Sequence, residues 1–147
     1  KQLMMMYEKL NSPVIALQKV SKKEISKYGV IAGKKIAPRT YEITELIEKP
    51  PADKAPSNLA SIGKYIYTPE LFQMLDRMKP GPGGELFPTD VFDLYIKEGG
   101  KMYGYEYEGV RYDCGDKLGF LQAVVQFGLK HPEVGKGLKS YLKELDL

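Results

Sequence analysis

Strand-like and helix-like runs take turns along this chain, and that interleaving restricts the fold more than any other feature. Residues 3–10 have helical spacing, with Leu3, Met6 (or Tyr7) and Leu10 on one face, but nothing before them can serve as an N-cap. The run Met4-Met5-Met6 reads as core filler. After a turn at Asn11-Ser12, residues 14–20 are apolar enough for a buried strand. Ser21 and Glu24 have capping-box spacing for a short helix that Gly29 is placed to end. Residues 29–37 then suggest a hairpin turning at Gly33-Lys34, with 40–48 paired near it. Proline and small polar residues make 50–58 a loop, and 59–68 is again strand-like. Thr68 and Pro69 open a helix over 69–78 as N-cap and first helical residue. A rigid, turn-rich loop follows at 79–88, and Thr89 is placed to cap a helix that Gly99-Gly100 closes. Residues 101–109 alternate as an exposed-edge or half-buried strand; helices are expected over 117–130 and 138–145. Hairpins mixed with crossovers call for an α/β fold with a mixed sheet, not a purely parallel one.

Composition narrows the classes. At 147 residues the chain is one domain's worth, and its 43% hydrophobic and 28% charged residues are those of a globular protein. No apolar run reaches the length of a membrane span. Twenty-two lysines and arginines face nineteen acids, and no basic block is longer than Lys22-Lys23 or Lys34-Lys35. A net charge of +3 so dispersed argues against nucleic-acid binding, which gathers its charge on one face. The one cysteine, Cys114, rules out an internal disulfide framework, and no zinc-ligand cluster is present. His131, just before Pro132, marks a helix C-terminus. The cytoplasm is the compartment these features suggest.

Four segments put polar residues or glycine where a core has no use for them. Tyr28-Gly29 joins a helix to a strand. The strand-like run Tyr-Glu-Ile-Thr-Glu-Leu-Ile ends on Glu48-Lys49, and Pro50 stops the ladder because it has no N–H to donate. Gly63 interrupts a strand-like run, and Asp113 sits in Tyr-Asp-Cys-Gly-Asp, where Gly115 allows a sharp turn. Each has a plain structural alternative. Gly29 can be a C-cap, Gly63 a bulge, Asp113 a turn residue, Asp116 an N-cap, and Glu48-Lys49 a solvated strand end. Together they suit a sugar phosphate with a metal nearby. Glu48 can accept hydroxyl hydrogen bonds, Lys49 offers a compact positive charge to a phosphate, and glycine lets a ring approach the backbone. An aspartate in a glycine-flanked turn is a hard oxygen ligand suited to magnesium. Neither common glycine-rich nucleotide loop is present.

The segments KYGVI, ELIEKP, APSNLASIGKYIYTPELF, KPGPGGELFPTD and RYDCGDKLGFLQAVVQFGLKHPE closely resemble those of bacterial UTP–glucose-1-phosphate uridylyltransferases, in the same order and at the same separations. The resemblance covers essentially the whole chain. E-K-P alone is shared with cousins that use dTTP, ATP or CTP, whereas the A-P-S-N-L-A block and R-Y-D-x-G-D are more specific to this branch. The resemblance implies a Rossmann-like α/β fold with a mixed central sheet. The implied reaction is nucleotidyl transfer from UTP to glucose 1-phosphate, giving UDP-glucose and pyrophosphate with Mg²⁺. Carried over by motif, Glu48 holds sugar hydroxyls, Lys49 contacts the sugar phosphate, Gly29 and Gly63 lie against the sugar, and Asp113 is one of two metal carboxylates. The family's G-x-G-T-R and P-x-T-K segments and its other metal aspartate are not among these residues. The resemblance therefore implies the C-terminal half of such an enzyme, inactive alone, whose full-length form self-associates. Its alternatives are a thymidylyl- or adenylyltransferase cousin and a non-catalytic binding or oligomerisation module.

Overall fold

The computed structural model describes residues 1–78, 84 and 86–145. These divide into two compact units, Lys1–Tyr107 and Glu108–Leu147. The first begins with helix α1 (Gln2–Leu10) and continues through strand β1 (Val14–Lys19) and a short 3-10 turn (Ile25–Lys27). Strands β2 (Val30–Ala37), β3 (Thr40–Ile47) and β4 (Leu59–Ile66) follow, then helices α2 (Pro69–Leu75) and α3 (Pro88–Lys97) and strand β5 (Tyr103–Glu106). The second unit holds helices α4 (Lys117–Lys130) and α5 (Gly135–Glu144).

The five strands pair in the ring β1-β4-β2-β3-β5, which closes on itself. β1 and β5 run parallel and the other pairs antiparallel, so the sheet is mixed as expected. Closure decides between the two readings of residues 101–109, exposed edge or half-buried strand, in favour of the second. β5 is not an edge: it pairs with β1 on one side and β3 on the other, which removes the unpaired backbone an edge would expose. Gly104 makes this possible. A β-carbon there would run into Leu17 and lie 3.5 Å from Ile43 Cδ1, so the two core side chains occupy the space a side chain on β5 would take.

The core of this unit is Ile15, Leu17, Ile31, Ile43 and Leu46 from the strands, closed over by Leu71, Val91, Phe92 and Met102. Phe92 is fully buried, with the Tyr65 and Tyr67 rings 5.1 and 5.2 Å from its own. Such tilted pairs add about 0.5–1.5 kcal/mol each beyond the area they bury.

Local chemistry explains most boundaries. Pro69 starts α2 at its first turn, and Gly99, at a φ of 91°, closes α3 while Gly100 donates its N–H to the Tyr95 carbonyl at 2.9 Å. Asp116 caps α4 by accepting the Gly119 N–H at 2.9 Å, and His131 terminates that helix. Three expectations fail for identifiable reasons. The β2–β3 hairpin turns at Pro38-Arg39, not at Gly33-Lys34, with Arg39 in the left-handed region at φ 59°. Its guanidinium donates to the carbonyls of Glu106 and Tyr107 at 3.1 and 3.4 Å, so the turn is held by a distant strand. Thr89 lies inside α3. Pro88 takes the first helical position, and the Asp90 carboxylate accepts the Phe87 N–H at 3.1 Å. The methionine run is not core either, since α1 buries no residue fully and Met5 is 60% exposed. Most of the loop expected over 79–88 lies outside the described residues.

Candidate functional site

A one-residue irregularity in β3 decides where the acid of the Glu48-Lys49 pair falls. Ala32 pairs with Glu45 and Gly33 with Ile43, so Thr44 is an extra residue on β3. Tyr41 and Ile43 are buried before it and Leu46 after it, because the bulge reverses which residues face the core. Glu48, two residues beyond Leu46, keeps to the same side just past the end of the strand. Its side chain is only 27% exposed.

Gly29 meets that carboxylate. A β-carbon on Gly29 would lie 3.0 Å from Glu48 Oε2 and 2.9 Å from the methyl of Thr89. Neither distance leaves room, so glycine stands here because two side chains converge on its α-carbon. The C-cap alternative is not what requires it: the 3-10 turn ends on Tyr28 in an extended conformation. Two backbone hydrogen bonds fix the approach. The Gly29 carbonyl accepts the Ser61 N–H at 2.8 Å, and the Tyr28 carbonyl accepts the Lys49 N–H at 3.1 Å. Gly29→Ala is therefore expected to displace Glu48 or Thr89 and to destabilise the chain by about 1–3 kcal/mol, the usual cost of overpacking. A thermal melt of the variant measures this, and an unchanged midpoint would show slack in the corner.

Lys49 sits in the left-handed region at φ 43°, which a residue other than glycine adopts only where its surroundings impose it. Its ammonium is 3.9 Å from Glu48 Oε1 and 5.6 Å from the centroid of the Phe87 ring. Gly29, Glu48 and Lys49 thus form one corner, with a carboxylate and an ammonium side by side. Gly63 lies on β4, in a bulge where Ala16 alone stands opposite Ile62, Gly63 and Lys64. Its φ is +71° and the space over its α-carbon is open. The bulge is its structural role, and the opening leaves its backbone accessible.

Asp113 belongs to the second unit. Its Oδ1 accepts the Gly115 N–H at 3.1 Å and its Oδ2 accepts from the Arg111 guanidinium at 2.8 Å. The turn role is therefore real. It is reinforced by Gly119, where a β-carbon would strike the Asp113 carbonyl, so α4 packs backbone against backbone at this turn. A metal role is compatible with these bonds. A carboxylate has about four lone-pair sites, and the Asp113 side chain is 53% exposed. Among the described residues no cluster of three or more His, Cys, Asp and Glu is ready for a metal. Asp113 fits magnesium as one ligand of a shell completed by water and phosphate oxygens, the usual way that ion is held.

Sequence reasoning missed Phe87 and the true position of Thr89. The signal was available in Pro88, whose preference for the first helical turn puts Phe87 at the cap and Thr89 inside the helix. Thr89 is buried, and its hydroxyl has no hydrogen-bond partner among the described residues. A cavity of about 540 Å³ lies by Glu70, Arg77, Tyr95 and Glu98, and one of about 480 Å³ by Tyr112, Leu118 and Leu121; neither takes in Glu48 or Lys49. No helix among the described residues is long and apolar enough to cross a membrane.

Comparison with known proteins adds an independent line. The family model described as Nucleotidyl transferase matches residues 2–128. A UTP–glucose-1-phosphate uridylyltransferase of Staphylococcus epidermidis is 40% identical over 147 residues, which is all of this chain and 51% of that protein. The crystal structure of a UDP-glucose pyrophosphorylase complexed with UDP-glucose is similar at a TM-score of 0.81 and 39% identity, over 89% of this chain and 49% of that one. A UTP-bound UDP-glucose pyrophosphorylase from Acinetobacter baumannii is similar at a TM-score of 0.81 and 28% identity, over 99% of this chain and 50% of that one. The chain spans about half the length of the curated relatives it matches.

Proposed function

Because this chain belongs to the nucleotidyl transferase family, we propose that it supplies the sugar-phosphate subsite of a uridylyl transfer from UTP to glucose 1-phosphate. The observation that carries this reading is the corner itself. A half-buried carboxylate and an ammonium 3.9 Å apart, beside a glycine with no room for a side chain, match a ligand with hydroxyls at one end and a phosphate at the other.

In this reading a phosphate oxygen of glucose 1-phosphate forms a bond to the α-phosphorus of UTP. The bond from that phosphorus to the bridging oxygen breaks, and pyrophosphate leaves with the electron pair. Glu48 accepts hydrogen bonds from sugar hydroxyls and so fixes the orientation of the attacking group. Lys49 neutralises charge on the sugar phosphate, which lowers the repulsion between two polyanions as they meet. Gly29 and Gly63 let the sugar ring approach the backbone. Asp113 is one of the carboxylates that hold magnesium, which when bound offsets charge on the phosphates. Such chemistry depends on positioning and charge neutralisation more than on covalent participation.

The expected result is that a protein of the relatives' length carrying this chain converts UTP and glucose 1-phosphate to UDP-glucose in the presence of magnesium. The 147 residues alone form none. Assaying both, purified away from host enzyme, tests the reading. UDP-glucose made by the short chain, or a long form that uses dTTP or ATP in preference to UTP, would overturn it.

A further inference from the structure

Successive side chains of an extended strand point to opposite sides, yet the ends of Glu48 and Lys49 come within 3.9 Å of each other. The left-handed backbone at Lys49 breaks the alternation and turns its side chain toward its neighbour. A carboxylate and an ammonium so placed would be expected to close into a charge-assisted hydrogen bond of about 2.7–2.9 Å. They stop a full ångström short. The ammonium also stands over the Phe87 ring, whose centroid is 5.6 Å from Nζ and within cation–π range.

Phe87 is well placed for this. It directly precedes α3, and its backbone N–H is held by the Asp90 carboxylate at 3.1 Å. Thr89, two residues on, puts its methyl against Gly29. The first turn of α3 therefore reaches both the glycine and the lysine of the corner.

We propose that Phe87 is a positioning residue for Lys49. Its ring face draws the ammonium away from a closed ion pair with Glu48, so that carboxylate and ammonium stay available to different parts of one sugar phosphate. A closed pair would use up acceptor sites on Glu48 and neutralise the charge offered to the phosphate. The inference rests on the sugar-phosphate reading given above. It goes beyond that reading by naming the group that keeps the two charges apart.

The test uses this chain, with the Lys49 ε-methylene followed by NMR and glucose 1-phosphate as the probe. Ring current from Phe87 should shift the ε-methylene signal upfield. Phe87→Leu should abolish that shift and weaken glucose 1-phosphate binding about two- to five-fold, the range of an exposed cation–π contact. Phe87→Tyr, which keeps the aromatic face, should preserve both. In a Lys49→Ala background, Phe87→Leu should have no further effect on binding. Absence of the upfield shift, or unchanged affinity in Phe87→Leu while Lys49→Ala weakens binding, overturns the role of Phe87 alone. A clear ring-current shift together with glucose 1-phosphate affinity unaffected by Lys49→Ala, or no binding to the chain at all, overturns the sugar-phosphate reading and the positioning role with it.

Discussion

Lys49→Ala, in a protein of the relatives' length, is expected to weaken glucose 1-phosphate binding by one to two powers of ten and to leave UTP binding nearly unchanged. The magnitude follows from the loss of one charge-assisted contact, worth about 1.5–3 kcal/mol. The selectivity follows from the assignment of the lysine to the sugar phosphate. The fold should tolerate the change, since the Lys49 side chain is 57% exposed and its ion pair with Glu48 is long. The left-handed φ remains unfavourable for alanine as it is for lysine, so the backbone cost is the same in both. Titration calorimetry with each ligand separately is the measurement. Loss of UTP binding with sugar-phosphate binding intact would reverse the assignment.

Asp113→Asn separates two roles that the geometry places on one carboxylate. As a turn residue, Asp113 accepts the Gly115 N–H, and an asparagine carbonyl can do the same. The variant loses the ion pair with Arg111, but that pair is half exposed, and exposed pairs contribute only about 0–1 kcal/mol. Stability should therefore change little. As a metal ligand, the carboxylate supplies a charge that an amide lacks. Magnesium requirement should rise and kcat should fall on the order of 100-fold, because metal stabilisation of phosphoryl charge is worth several kcal/mol. A melting curve and a magnesium titration of the rate, run on the same preparation, decide between the roles. A variant that melts early yet turns over normally at ordinary magnesium would leave Asp113 as a turn residue only.

The parts of the fold legible in the sequence are those whose cause is local. Pro69 at the start of α2, Gly99 at the end of α3 and Asp116 before α4 work through their own dihedrals or through a hydrogen bond three residues away, so the signal and the structure lie in the same few residues. The candidate residues were legible for a related reason. A carboxylate, an ammonium and glycines standing where a strand has no use for them are conspicuous without any knowledge of what surrounds them. Where the cause is distant, the signal misleads. Gly33 looks like a turn residue, but it stands in β2 because a β-carbon would run into the Glu42 carbonyl across the ladder. The real turn falls on Arg39, a residue with no turn preference, held by carbonyls on the segment around β5.

The sequence by itself determined the mixed α/β class, the ends of most helices and the identity of the polar residues in the corner, because periodicity, caps and residue chemistry are properties of the chain. Only the tertiary structure decided that the sheet closes, since pairing β5 with both β1 and β3 depends on Gly104 yielding its space to Leu17 and Ile43. It also decided on which side Glu48 falls. Tyr41 and Ile43 set one parity, and the sequence shows no sign of where that parity reverses. The extra residue at Thr44 reverses it through pairing with β2, and only then does the Glu48 carboxylate arrive against Gly29. A period-two pattern fixes which residues share a face, but the ladder across the sheet chooses the face.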